Sequence, residues 1–289
     1  MRLAIVGLGL IGGSIARAIR GNRAARGFDS IAAWTPSGQG PAAALADGTI
    51  DRVAPSLHDA LAGADLVVLA ADPLSCLDLL DAIAATTMPG ERPTITDVAS
   101  SKQAIVNRAD LRHLPFVGGH PMAGRENAGY GASRADLFLG RPWVVCPGSL
   151  ARPIDFERVE LLVTACGAEV HRLSAREHDR AVAGISHLPL ALAAALAEAV
   201  GAADDWPVAR ALAAGGWASA TRVARGDVTM GAGLAATNAP ELARRIRALM
   251  AQLDDWLAAL EATPDDPQAT AARIAIHLAA ARELLGPAE

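Results

Sequence analysis

The residues best suited to chemistry open the chain. Gly7-Leu8-Gly9-Leu10-Ile11-Gly12 has the G-x-G-x-x-G spacing, directly after the apolar run Leu3–Val6 and ahead of the helix-forming stretch Ser14–Arg20. In that setting the first glycine permits a sharp bend, the second lets the backbone approach a pyrophosphate, and the third lets the helix pack on the strand. Amides at the helix start, near Leu10 and Ile11, then face the anion. An ordinary glycine-rich turn shares the spacing, but the flanking strand and helix favour a dinucleotide, and with it nicotinamide oxidoreduction. A carboxylate about 20 positions on would hold the ribose hydroxyls. Here the second strand ends in Trp34-Thr35-Pro36-Ser37, and Asp29 precedes it. Thr35 and Ser37 would not repel a 2′-phosphate, which tilts the expectation from NAD towards NADP, although no arginine in the turn clamps that phosphate.

Three further stretches carry candidate reactive groups. Thr96-Asp97-Val98-Ala99-Ser100-Ser101-Lys102 should deliver Ser100 to the carboxyl end of one strand, and Gly118-Gly119-His120-Pro121 should deliver His120 to the end of the next. Ligands of such sheets bind outside the carboxyl ends of the strands. Histidine titrates near neutrality and suits a proton acceptor whose tautomer a neighbour fixes, so Ser100 could orient His120. Taken singly, His120 could equally cap a turn, and Ser100 reads as the cap of a helix over Lys102–Arg108. In Ala183-Gly184-Ile185-Ser186-His187-Leu188-Pro189, Gly184 and His187 share a helix face, leaving ligand space beside the imidazole. Pro189 should kink that helix. His187 alone could be a satisfied buried histidine. Arg222 offers a cation for a carboxylate substrate, or simply lies on a solvated face.

These groups need two kinds of scaffold. As far as residue 172 short β-rich runs alternate with helical stretches: Leu3–Val6, Ile31–Trp34, Leu66–Ala70, Thr94–Thr96, Phe116–Gly118, Trp143–Cys146 and Glu169–His171. This is the signature of a doubly wound parallel sheet, an α/β fold of Rossmann type. From Ser174 the strand signals end, and Ser174-Ala175-Arg176-Glu177 has the form of a capping box opening a helix to about Val200. Asn238-Ala239-Pro240 and Thr263-Pro264-Asp265 mark two later helix starts. The expected domains are therefore a dinucleotide-binding domain, 1–172, and an all-α domain, 173–289. The helical half is rich in alanine, suits close packing against a second copy, and predicts a homodimer.

Composition narrows the class. The 289 residues are 52% hydrophobic, enough for more than one core, and the net charge of -5 comes without a long run of one sign. Nucleic acid is not an expected partner. Cys76, Cys146 and Cys166 are widely spaced, which suggests neither a disulfide framework nor a zinc site. Gly7, Gly9, Gly12 and Gly13 interrupt any signal-peptide core, and Leu188–Leu196 is too short to span a bilayer, so no membrane and a cytoplasmic location are expected.

Taken together, GLGLIGGS at Gly7, TDVASSK at Thr96, GGHPMAG at Gly118, HDRAVAGISHLP at His178 and ATRVA at Ala220 resemble the prephenate and arogenate dehydrogenase family of tyrosine biosynthesis. The resemblance spans nearly the whole chain. It implies a cyclohexadienyl substrate with a C4 hydroxyl and a C1 carboxylate, oxidised by hydride transfer from C4 and aromatised by loss of carbon dioxide. It assigns His120 to accept the hydroxyl proton, Ser100 to orient His120 and touch the nicotinamide, and His187 and Arg222 to bind substrate. Asp72-Pro73 falls where such folds pass beneath the adenosine, and the helical half corresponds to the family's dimerisation domain.

NAD-using members commonly have an acid at the place of Thr35. Ala214–Ser219 lacks the Arg or Lys followed by Asp expected there, and no further domain is expected after the last helix. Two other readings of the architecture are a β-hydroxyacid dehydrogenase or imine reductase, and a nicotinamide-sensing protein without catalysis. The former typically uses a lysine in the helical half, where this chain has none beyond Lys102.

Overall fold

The computed structural model describes residues 1–22, 27–87, 92–125 and 127–286. They form two compact units, Met1–Ala239 and Pro240–Glu289. The first opens with β1 (Arg2–Val6), α1 (Leu10–Gly21), β2 (Ser30–Trp34), α2 (Gln39–Ala46), β3 (Arg52–Val53), α3 (Leu57–Leu61), β4 (Leu66–Leu69), α4 (Pro73–Thr86), β5 (Thr94–Asp97) and α5 (Gln103–Leu111). It continues through β6 (Val117–Pro121), β7 (Pro142–Pro147), α6 (Pro153–Ala165) and β8 (Glu169–Arg172). The helices α7 (Ala175–Val182), α8 (Leu188–Gly201), α9 (Trp206–Leu212), α10 (Gly215–Thr221) and α11 (Val228–Thr237) complete it. α12 (Ala239–Glu261) begins at the boundary, and α13 (Pro267–Leu285) follows in the second unit.

Five parallel strands run in the order β3-β2-β1-β4-β5. β1 sits between β2 and β4, with Val6 opposite both Trp34 and Leu69. Chain direction across the sheet reverses between β1 and β4, the switch point at which ligands of open α/β sheets bind. Side chains alternate about β1: Leu3 and Ile5 join the core on one face, Ala4 and Val6 that on the other. Burial on both faces explains why these strands read as continuous apolar runs.

The structure corrects several sequence expectations. The strands from β6 onward do not extend one parallel sheet. They form a second sheet, β6-β7-β8, in which β6 and β7 are antiparallel, and a bridge from Ile95 to Phe116 joins it to β5. The strand expected at Phe116–Gly118 runs instead to Pro121, so His120 lies within it. β3 was not anticipated, because two residues on a sheet edge leave no alternation to detect. α1 begins at Leu10 rather than Ser14, since glycine at positions 12 and 13 did not prevent the helix. The last helix starts at Pro267, capped by Asp266, whose carboxylate accepts the Ala269 N–H; Thr263-Pro264 does not open it.

The capping box holds: Ser174 Oγ accepts the Glu177 N–H, and Glu177 Oε2 accepts the Ser174 N–H. The helix that follows is continuous over Ala175–Gly201, long and apolar enough by length and composition to cross a membrane. This exceeds the short span expected, although three buried polar residues on it (His178, Asp179 and His187) serve the site described next. The helix is disturbed just before Pro189, as the proline predicts. The disturbance is a π-helical turn, Ala183–His187, where a regular turn would press the proline ring against the Ile185 carbonyl.

Candidate active site

The glycine turn forms one wall of a cleft of about 510 Å³, lined by Gly7, Leu8 and Gly9, by Thr35–Ser37, by Ala70–Asp72, and by Gly129–Gly131. Gly7 has φ of 98°, and a Cβ there would stand 2.3 Å from the Ala70 carbonyl oxygen. A Cβ on Gly12 would meet the Gly7 carbonyl at 2.1 Å, whereas one on Gly9 would meet nothing within 4 Å beyond its chain neighbours. Two glycines are thus demanded by the fold, and the middle one faces open space. α1 has no side-chain cap and no acidic residue in its first turn, which leaves the leading amides, at Leu10 and Ile11, as anion donors. Space and donor set both fit a dinucleotide pyrophosphate. Thr35 Oγ1 accepts the Gly38 N–H at 3.1 Å. Asp72 lines the cleft and caps α4, its Oδ1 accepting the Leu74 and Ser75 N–H groups.

The second half of the site is a hydrogen-bonded cluster of buried side chains. His120, on β6, has its Nδ1 2.8 Å from Nε2 of His178. His178 Nδ1 lies 2.8 Å from Asp179 Oδ1. The Asp179 carboxylate accepts the N–H groups of Lys102 (2.7 Å) and Gln103 (2.8 Å) at the start of α5. Asn238, expected as a helix cap, sends its Nδ2 to the Asp179 carbonyl (2.9 Å) and to His187 Nδ1 (3.1 Å). Beneath the cluster Lys102, the chain's one lysine, is wholly buried against Asp97. Asp97 Oδ1 also accepts the Gly119 N–H at 3.0 Å, fixing the residue before His120.

Burial first, and then the proximity of His178, Lys102 and His187, push the His120 pKa well below 6.5. The imidazole is neutral at neutral pH, as a proton acceptor requires. Burial likewise lowers His187, with Asp179 and the Ser100 backbone opposing the shift. His187 is fully buried, yet its Nε2 makes no hydrogen bond; the Ser100 backbone lies close enough to favour protonation of the ring without completing one. An unpaired buried ring nitrogen costs about 1–3 kcal/mol, which a ligand bond would recover.

The structure therefore brings His120 and His187 together, and sets Gly7, Gly9, Thr35 and Asp72 around one cleft. Ser100 departs from expectation on two counts. It is half-buried but makes no hydrogen bond to His120, whose Nδ1 is taken by His178. Nor does it cap α5, because the Asp179 carboxylate already holds the leading amides. Arg222 is exposed on the 3₁₀ turn Arg222–Arg225, next to α8. His178, Asp179 and Asn238 are not among the site residues expected from the sequence, although His178 opens the family-like run HDRAVAGISHLP. Nine residues separate His178 from His187, which in a regular helix sets them on roughly opposite faces at about 100° per residue. The π turn, equivalent to one inserted residue, swings His187 back towards His178. The adjacent pair His178-Asp179, one residue after the Glu177 of the capping box, was the available signal.

Fold and site define a protein with a Rossmann-type nucleotide-binding sheet joined to helices that complete a histidine cluster. The sequence matches the prephenate dehydrogenase nucleotide-binding domain over residues 15–172 and the prephenate dehydrogenase dimerization domain over residues 174–269. The chain belongs to the prephenate dehydrogenase family. It is 34% identical to a prephenate dehydrogenase of Bacillus subtilis over 233 residues, 79% of this chain and 62% of the relative, so it spans under two thirds of that protein's length. It is 30% identical to a cyclohexadienyl dehydrogenase of Zymomonas mobilis over 264 residues, covering 90% of this chain and 86% of the relative. The structure of an arogenate dehydrogenase from Synechocystis superposes with a TM-score of 0.78 at 27% identity, covering 99% of this chain and 100% of the other.

Proposed function

We propose that this chain catalyses the oxidative decarboxylation of prephenate, arogenate or both, with hydride transfer to NAD(P). The observation that carries this reading is the neutral, buried His120 beside the unpartnered Nε2 of His187, in the unit that also holds the glycine-lined cleft. Gly7, Gly9, Leu10, Ile11 and Gly12 would hold the dinucleotide, with Thr35, Asp72 and Ser100 along it. Bound there, the nicotinamide ring supplies the hydride acceptor.

His120 takes the proton of the C4 hydroxyl as C4 gives up its hydride, which leaves a carbonyl at C4. The bond from C1 to its carboxylate then breaks and releases carbon dioxide. Its electron pair aromatises the ring onto the C4 oxygen, and His120 returns the proton to that oxygen. His187 Nε2 offers the substrate a hydrogen bond, and Arg222 a counter-charge for a carboxylate. The protein need only align C4 with the acceptor and polarise one hydroxyl.

NADP is the favoured cofactor. The tip of β2 presents Thr35 and Ser37 to the cleft rather than a carboxylate, and a hydroxyl tolerates a 2′-phosphate that an acid would repel. The protein works as a cytoplasmic homodimer. Its helices leave Leu192, Leu212, Leu253, Leu257, Leu260 and Ile276 exposed, apolar area of the kind a second copy covers.

The test is an assay of prephenate and arogenate, each with NAD and NADP, following the absorbance of reduced cofactor. Turnover is expected with at least one of the two acids, and faster with NADP. No reduction in any of the four combinations would refute the activity.

A further inference from the structure

We infer that His178 and Asp179 are positioning residues that fix which nitrogen of His120 carries the proton, so that Nε2 is the bare, reacting nitrogen. This rests on the reading of His120 as the base and extends it to two residues outside the expected site.

With one proton on His178, the donors and acceptors around it fix the proton on His120. A carboxylate can only accept, and Asp179 already accepts from two backbone amides of α5. The 2.8 Å contact between Asp179 Oδ1 and His178 Nδ1 therefore has the imidazole donating. In neutral His178 the proton on Nδ1 leaves Nε2 with a lone pair. Across the 2.8 Å contact to His120, Nδ1 of His120 must then donate, and its Nε2 is left unprotonated. The two rings stand nearly perpendicular, at 76°, with centroids 5.0 Å apart, which points the edge of one ring at the other as this bond requires. Ser100, the residue expected for this task, makes no bond to the ring.

The anchor is rigid. Asp179 is tied through its carboxylate to α5 and through its carbonyl to Asn238, and both it and His178 are buried. Lys102 and His187 are the other charged or titratable groups acting on His120. Lys102 is ion-paired with Asp97, while His187 has its own bond to Asn238. When Nε2 of His120 takes the substrate proton, the Nδ1–H bond spreads the new positive charge towards His178 and the Asp179 carboxylate. The proton returns to the product oxygen, so the pair is unchanged over a turnover.

The deciding experiment is nitrogen-15 NMR of the full chain labelled at its 7 histidines, with His120→Asn assigning the His120 signals. At neutral pH His120 is expected as the Nδ1–H tautomer. His178→Leu should convert it to the Nε2–H form usual for free imidazole. The same substitution should lower kcat by about 100-fold with little change in KM or cofactor affinity, because a base in the wrong tautomer cannot accept the proton. His178→Gln, whose amide oxygen can accept from Nδ1, should restore the tautomer and at least about a tenth of kcat.

A wild-type His120 protonated at Nε2, a tautomer indifferent to His178→Leu, or a Gln variant no better than Leu would each overturn the assignment. The tautomer is read on the wild-type protein without substrate. Inactivity towards both cyclohexadienyl acids would therefore refute the proposed activity while leaving this result to stand or fall separately.

Discussion

The glycine cleft and the histidine cluster solve the same problem, fixing ligand-facing atoms, by opposite means. The cleft is made of backbone. Its defining atoms belong to Gly7, Gly9 and Gly12, spaced within six consecutive residues, and what matters is where a Cβ is forbidden and where it is merely absent. The cluster is made of side chains from separate elements, β6, α7, the π turn and the residue before α12, joined by hydrogen bonds across as many as 77 positions. A backbone site can be rebuilt by any sequence that keeps its glycines. A side-chain cluster is held by its network, so damage in one place reaches the others.

The sharpest way to test this difference is at the floor of the cluster. Lys102→Met leaves Asp97 buried and unpaired, and should cost about 3–5 kcal/mol of stability, seen as a lowered Tm. An unchanged Tm would mean that the cluster does not depend on its ion pair. Within the cleft, Gly7→Ala and Gly9→Ala should part company. The first forces a left-handed backbone and a clash with Ala70, and should destabilise the protein by a few kcal/mol. The second meets nothing in the protein, and should keep stability within about 1 kcal/mol while weakening cofactor binding about tenfold. Equal loss of stability in both would show that Gly9 also serves the fold rather than a ligand.

His187→Gln removes the unpartnered ring nitrogen, and should raise KM for the cyclohexadienyl acid about tenfold while leaving the cofactor Kd alone. A changed Kd with constant KM would move His187 to the cofactor side. The smallest effect concerns pH. His120 has a pKa well below 6.5, so the base form persists as pH falls through 6.5, and turnover should decline only on the acid side of that value. Folding stability follows the same sign, since the unfolded chain takes up a proton at 6.5 that buried His120 refuses, and stability is lost as pH falls below it. A kcat midpoint at or above 6.5 would contradict the burial of the ring.

The same contrast explains what could be read from the chain. The glycine turn, the sheet strands and the capping box at Ser174 were legible because each is specified within about six to ten residues. His120 and His187 were legible as motifs, though their partners were not. Ser100 looked like the natural neighbour because it precedes Lys102 on an adjacent strand end, but proximity in the sheet order did not say that a histidine on α7 already occupied Nδ1. Asn238 read as a cap by its position and instead spends its side chain on Asp179 and His187. The π turn was hidden for a related reason: Pro189 announces that a regular helix is disturbed, not how the disturbance is absorbed. Antiparallel pairing of β6 and β7 was likewise invisible, since two buried strands present the same apolar run in either direction.

One variant separates the two regions most directly. His120→Asn keeps a polar group of similar size in β6 and touches no atom of the glycine cleft. Cofactor Kd and turnover are to be measured on the same preparation. The expected result is a Kd within about twofold of wild type and a turnover reduced by at least about 10³-fold, the scale of a lost general base. Turnover within tenfold of wild type, at any cofactor affinity, would contradict it.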